Sequence, residues 1–219
     1  MALETFKTKN TLNASLLLLV LASLLLDPIP ALARGEDELP LPAFADFAKS
    51  VQNGEANVLR GVYVPNVLAL PIAQQPQGNA AYVSPYDGEA TQFRMAAQYG
   101  TVGLLAHNYL SGRHFSQLEV GQEVRLVYGD GRVETFVVTE ILRYQALQPT
   151  SLYSSFRSLD KDETLTAEQM FKRVYVGDRH IAFQTCIEAE GNLSWGRLFV
   201  IAIPKSEHTG FDRLNRVNQ

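Results

Sequence analysis

The sequence predicts an all-β fold, a sandwich or a closed barrel. Three observations predict it. The apolar runs are short and end at turn residues. One pair of runs flanks an Asp-Gly dipeptide. No strand–helix–strand alternation of the kind that builds a parallel sheet is present. The chain has 219 residues, enough for one domain with appendages. Hydrophobic residues make up 46% and charged residues 19%, a balance that supports a packed core. The net charge of −4 gives no general attraction to nucleic acid or to anionic lipid, so no nucleic-acid partner is expected.

In chain order, residues 1–33 read as a signal peptide. Lys7 and Lys9 precede an apolar run, Ala14 to Leu26. Asp27-Pro28-Ile29-Pro30 then breaks any helix, and Ala31-Leu32-Ala33 offers small residues at −3 and −1. Cleavage is expected after Ala33, with a secreted or extracytoplasmic destination. The apolar run is shorter than the roughly 20 residues a spanning helix needs. The alternative is a retained membrane anchor over residues 14–26. Residues 34–57 read as a linker or N-terminal arm, with a short segment around Phe44–Val51 that can form a helix.

The body is expected over residues 58–204. Residues 58–72 carry Pro65 and Pro71 and read as an extended arm with edge-strand character. Residues 73–90, rich in Gln, Pro, Gly and Asn, read as loop. Phe93–Tyr99 is a candidate short helix, and Val102–Ala106 a strand ending at His107. Glu123–Tyr128 and Arg132–Leu142 flank Gly129-Asp130-Gly131, a hairpin signal because Asp-Gly supplies positive φ angles. Thr166-Ala-Glu-Gln169 fits a capping box and opens a helix whose Met170 and Phe171 face the core. His180–Cys186 and Trp195–Ile203 form a second strand pair joined around Glu190-Gly191-Asn192. Pro204 ends the last strand, and residues 205–219 read as a flexible tail.

Cys186 is the sole cysteine. It cannot form an intrachain disulfide, so it is a reactive thiol, an intermolecular linker or an inert buried residue. Outside the cell an exposed idle thiol oxidises or cross-links. A thiol becomes a nucleophile as thiolate, beside a base or a positive group. His107 supplies the first at the end of its own apolar run. Arg197 supplies the second: if the strands around 181–186 and 195–203 are antiparallel neighbours, its guanidinium lies near the sulfur and can stabilise an oxyanion. His114 falls in a loop. His180 is about 20 Å from Cys186 at strand rise, and His208 is in the tail. Asp160-Lys-Asp162 begins like a calcium loop but lacks the central Gly and the closing Glu, and Glu168 belongs to the helix that follows. Tyr82, Tyr86, Phe93 and Tyr99 could line a groove or simply pack. No zinc, phosphate-loop or Gly-x-Ser-x-Gly pattern occurs, and neither metal nor cofactor is expected.

Leu105-Ala106-His107-Asn108, Gln184-Thr185-Cys186 and Gly196-Arg197 resemble the His, Thr-Cys and Arg motifs of the sortase family. Phe115-Ser-Gln-Leu118, Gly121 and Val124 through Gly131 resemble the family's hairpin after the histidine, so the resemblance spans roughly residues 58–203. It implies a closed barrel of about eight strands with one or two short helices. It further implies a cysteine transpeptidase that cleaves a sorting motif in secreted proteins, holds a thioester, and passes the acyl group to an amine on the cell wall or a pilin. Carried over, Cys186 is the nucleophile, His107 the general acid/base and Arg197 the oxyanion or substrate-orienting cation, with Thr185 at the substrate. Phe183 stands where many relatives have Leu, and the segment Gln148–Val176 lengthens the interval between His107 and Cys186. The alternatives are a non-catalytic exported barrel that binds a surface protein or cell-wall glycan, and a hydrolytic cysteine peptidase.

Overall fold

The computed structural model describes residues 40–151 and 153–206. The expected signal peptide, its cleavage point, residues 34–39 of the arm, His208 and most of the tail lie outside the described residues. Ten strands follow in chain order: β1 Leu59–Val64, β2 Leu68–Gln74, β3 Ala90–Phe93, β4 Val102–Leu105, β5 Glu123–Tyr128, β6 Val133–Ala146, β7 Phe156–Ser158, β8 Thr164–Leu165, β9 Ile181–Ala189 and β10 Asn192–Pro204. Helix α1 (Phe44–Val51) precedes β1, α2 (Arg94–Ala97) follows β3 and α3 (Ala167–Tyr175) follows β8.

Eight strands run in the order β10-β9-β4-β3-β2-β1-β5-β6, and β6 pairs back to β10 to close the ring. Strands β7 and β8 extend the sheet from β6 as a side flap. The expected all-β closed barrel is therefore present, and closure removes the free edges that an open sheet would leave. The Asp-Gly hairpin joins β5 to β6: Gly131 has φ +87°, Tyr128 N donates to Arg132 O at 2.9 Å, and Arg132 N donates to the Asp130 carboxylate at 3.0 Å.

Residues 58–72 depart from the sequence reading. They form β1 and β2, and neither strand is an edge. Strand β1 lies between β2 and β5, and β2 lies between β1 and β3. The prolines mislead because of where they sit. Pro65 is in the turn between the two strands. Pro71 is the last β2 residue paired with β1, and the ladder to β3 starts only at Ile72. The missing N–H therefore falls where one neighbour ends and the next has not begun. Leu68, Leu70 and Ile72 alternate inward as a buried strand requires.

Two apolar layers organise the barrel. Alternation along β9 and β10 sends Ile181, Phe183, Leu198, Val200 and Ala202 into the interior beside Val62, Leu126, Phe115 and Phe136. The intervening Ala182, Phe199 and Ile201 face outward, with Leu142 and Tyr144 of β6, under Phe93 and the α3 residues Met170, Val174 and Tyr175. Cys186 and Arg197 share the parity of this second layer. A third cluster docks α1 on the barrel through Phe47, Tyr63 and Val127, so the segment assigned to an arm is packed from Phe44 onward. Lys205 at the start of the tail donates to Glu123 at 2.5 Å.

Helix α3 starts at the expected box. Gln169 N donates to Thr166 Oγ1 at 3.3 Å, and Thr166 N donates to Gln169 Oε1 at 2.9 Å. Met170 is buried as expected, while Phe171 is half-buried against Tyr99 and Tyr175. Thr166→Ala should lower stability by about 1 kcal/mol, the usual cost of a lost N-cap, read as a reduced urea midpoint at unchanged slope.

Candidate active site

Strand β9 carries the thiol and is paired on both edges. On one side it runs antiparallel to β10, with Cys186 and Arg197 as direct Cα partners. On the other it runs parallel to β4, with Leu105 opposite Gln184. The ladder continues as Ala106 N donates to Gln184 O at 3.3 Å. His107 follows two residues after the last β4 residue paired with β9, while Cys186 and Arg197 are direct partners on β9 and β10.

The His107 backbone is fixed by a tight turn. Its carbonyl accepts from Leu110 N (3.0 Å) and Gly112 N (2.9 Å), and its ring stacks on Tyr109 with centroids 5.1 Å apart. The turn exists because position 112 is glycine. A Cβ there would overlap the Ala106 and His107 carbonyls and the Thr185 hydroxyl. His107 Nδ1 is buried without a hydrogen-bond partner, and no hydrogen bond joins the imidazole to the thiol. Burial pushes the imidazole pKa below its ordinary 6.5, toward the neutral base.

Cys186 is only 4% exposed. Burial raises its pKa above the ordinary thiol value, and Arg197 and the Ser194 hydroxyl oppose the rise. Arg197 is 2% exposed. Its Nη1 donates to Ser194 O at 3.0 Å and Gly196 O at 2.9 Å, while its Nε is buried without a partner. Among the described residues no carboxylate pairs with it. On its far side its Cα partner is Tyr144 of β6, whose hydroxyl donates to Glu163 at 2.8 Å. Glycine is required at 196, where a Cβ would come within 2.5 Å of the Tyr144 carbonyl oxygen.

Thr185 is placed differently from the expectation. Alternation turns its side chain to the opposite face of β9 from Cys186, and its hydroxyl is buried against Gly112 without a partner. Its side chain borders the His107 turn rather than the cleft. His114 lies in the 3-10 helix Ser111–Gln117. His180 sits at the far end of β9, with its ring nitrogens on Val174 O (2.8 Å) and Asp178 O (2.7 Å). Asp160 pairs with Arg143 at 2.5 Å and Glu168 with Lys172 at 2.8 Å, as expected of a solvated turn and a capped helix. Phe93 is core, whereas Tyr86 and Tyr99 are exposed, so these aromatics do not form a groove together.

Sequence reasoning missed Ser194. The β9–β10 register slips between Asn192 and Gly196, so that Glu188 alone faces Leu193, Ser194 and Trp195. In this bulge the Ser194 carbonyl accepts from Arg197 Nη1 at 3.0 Å. Asn108, next to His107, ties the bulge down by donating to Leu193 O at 3.0 Å.

No family model matches the sequence, and no curated protein does. Solved structures resemble the chain. Sortase A of Listeria monocytogenes is 14% identical, with 68% of this chain and 87% of that chain covered and a TM-score of 0.43. Sortase C-1 of Actinomyces oris is 10% identical, with 75% and 82% covered and a TM-score of 0.44. The pilus-related sortase C of Group B Streptococcus is 13% identical, with 78% covered on each side and a TM-score of 0.44. The closed barrel is read from this chain's own strand pairing, and the chemistry is argued from its own side chains.

The buried, protonated thiol has a measurable consequence. At pH 7 iodoacetamide should alkylate Cys186 at least tenfold more slowly in the folded chain than in urea, with the folded rate climbing as pH rises beyond 9.0. Mass spectrometry of the single thiol follows both.

Proposed function

We propose that the chain is an exported cysteine transpeptidase of the sortase type. Cys186 is the nucleophile, His107 the general acid/base and Arg197 the oxyanion-stabilising cation. The observation that carries this reading is the pairing of β9 on both edges: Cys186 is the direct partner of Arg197 on β10, and β4, which ends two residues before His107, pairs with β9 as far as Gln184. The free Nε of Arg197 adds to it, since a buried donor without a partner is available to a developing negative charge.

The proposed reaction is ping-pong acyl transfer. The Cys186 thiolate attacks the scissile carbonyl of a sorting motif in a secreted protein, and the electron pair moves to oxygen beside Arg197. His107, as imidazolium, gives its proton to the departing amine, the C–N bond breaks, and a thioester remains. An incoming amine, on cell wall or pilin, attacks the thioester. His107 takes its proton, and the thiolate leaves. Export through residues 1–33, with cleavage after Ala33 or retention of 14–26 as an anchor, belongs to the same proposal.

The pKa directions set the pH dependence. The imidazole is depressed below 6.5 and the thiol raised, so the resting pair at pH 7 is neutral on both sides. The reactive thiolate–imidazolium form is a small fraction, constant between the two pKa values. Below the lower value both groups are protonated, and above the upper value both are deprotonated. kcat/KM should therefore show a broad plateau, with an acid limb below 6.5 and an alkaline limb above 9.0.

The deciding experiment is a peptide-library cleavage screen with Cys186→Ala as control. Triglycine as acceptor should divert product from acid to adduct. His107→Ala and Arg197→Ala should each lower the rate by about 10²-fold or more. One observation favours a second reading, a non-catalytic barrel that binds a surface protein or glycan: the sulfur is almost fully covered. Absence of any Cys186-dependent cleavage would select it.

A further inference from the structure

The segment between β2 and β3, residues 75–89, reads from composition as plain loop, yet its contacts are built. Gln75 is buried. Its Nε2 donates to Ala80 O at 2.8 Å and to Tyr82 O at 3.0 Å, and its Oε1 accepts from Arg94 N at 3.1 Å. Ser84 N donates to Thr91 Oγ1 at 2.7 Å, and Ser84 Oγ donates to Glu89 at 2.7 Å. The far end of this segment reaches the turn that carries His107. We propose that Asp87 is a positioning residue for His107, latching the β2–β3 loop to Ser111 and Arg113 on either side of Gly112. The assignment rests on the reading of His107 as the acid/base and deepens it by naming what holds that residue in place.

The contacts converge on one carboxylate. Arg113 Nη1 donates to both Asp87 oxygens, at 2.8 and 2.9 Å. Ser111 Oγ donates to Asp87 Oδ1 at 3.3 Å. Gly88 N donates to the same oxygen at 3.0 Å and to Ser111 Oγ at 2.8 Å. An exposed ion pair alone contributes little to stability. This one is anchored, because Ser111 is 0% exposed and its hydroxyl both accepts and donates. The Arg113 guanidinium holds the Asp87 carboxyl below the usual carboxylate range, so the latch is ionised at neutral pH.

Gly112 lies between the two latched residues. Its N–H donates to the His107 carbonyl at 2.9 Å, and Arg113 N donates to Leu110 O at 3.0 Å. Movement of either flanking residue therefore pulls on the bond that closes the His107 turn. The imidazole depends on that turn. Its Nδ1 has no hydrogen-bond partner, and its face stacks on Tyr109 with 23° between the planes. Backbone placement and this stack are what hold the ring.

The test reads the imidazole itself. NMR follows the His107 ring protons of the full chain through pH, with His107→Gln to assign them. Asp87→Asn and Arg113→Gln should each move the titration midpoint upward, toward the ordinary 6.5, because a released turn admits water to the ring. Charges acting only through space would give opposite shifts: loss of the anion would lower the midpoint, and loss of the cation would raise it. The double variant should shift no further than the larger single one, as two halves of one contact do. Asp160→Asn breaks an ion pair of similar exposure outside the site and should leave the midpoint where it is. In turnover, each latch variant should lower kcat by about tenfold with KM little changed. A lowered or unchanged midpoint in Asp87→Asn would overturn the assignment. Should that variant not fold, Ser111→Ala, which removes no charge, decides in its place by the same criterion. A wild type that cleaves no peptide, with midpoints moving as stated, would sink the transpeptidase reading and leave the latch standing. An active wild type whose latch variants keep its midpoint would do the reverse.

Discussion

Strand β9 is held in register on both edges, and its two ladders run in opposite senses. The antiparallel ladder to β10 pairs Cys186 with Arg197, and the parallel ladder to β4 sets the strand that leads into His107 against Gln184. A one-residue slip on either side would turn a whole set of side chains to the other face. Such a slip is costly here. Ile181 and Phe183 fill the barrel interior, Ala182 lies under the α2–α3 layer, and each set would be exchanged for the other. The apolar cores thus specify the site indirectly. They hold the register, and the register holds the chemistry.

Closure of the ring by β6 and β10 adds a second constraint. Arg197 has a paired strand on each side, Cys186 on β9 and Tyr144 on β6, so its backbone has no freedom to carry the guanidinium away. An arginine buried without a carboxylate is expensive to desolvate. Its Nη1 is satisfied by two carbonyls of its own strand, and the remaining cost is borne by a barrel with two apolar layers. That cost has a return in chemistry, because a charge excluded from water acts on its neighbours with little screening.

Much of this was legible in the sequence, and the gaps have physical causes. The β5–β6 hairpin followed from Asp130-Gly131, the α3 start from Thr166 and Gln169, and the pairing of 180–186 with 195–203 from two apolar runs around a short turn. These are local rules, satisfied within a few residues. Strands β1 and β2 were misread because Pro71 argues against an interior strand, and only the staggered start of the β3 ladder makes it acceptable. Thr185 was misassigned because adjacency to Cys186 in a motif says nothing about side-chain direction. Alternation along an extended strand sends neighbours to opposite faces. Ser194 could not be foreseen, since a bulge is set by the fit between two strands rather than by a residue pattern. The one local hint was Gly196, a glycine inside an apolar strand, which often marks a bulge or a close approach of backbone.

The neutral resting pair bears on why the thiol is buried at all. In the proposed extracytoplasmic setting a standing thiolate would oxidise, since susceptibility follows thiolate character and exposure. Covering the sulfur and lowering the basicity of His107 both suppress that state. The same covering limits the fraction of reactive ion pair, so the proposed catalysis has to draw on groups that stabilise the thiolate without exposing it. Arg197, the direct partner of Cys186 across the ladder, meets this requirement by charge. It is supplied by β10 and is hidden from bulk water. Protection and activation then come from one strand, acting through one edge of β9, while the acid/base comes from the other edge. A substrate carbonyl entering beside Arg197 Nε would meet a donor already in place.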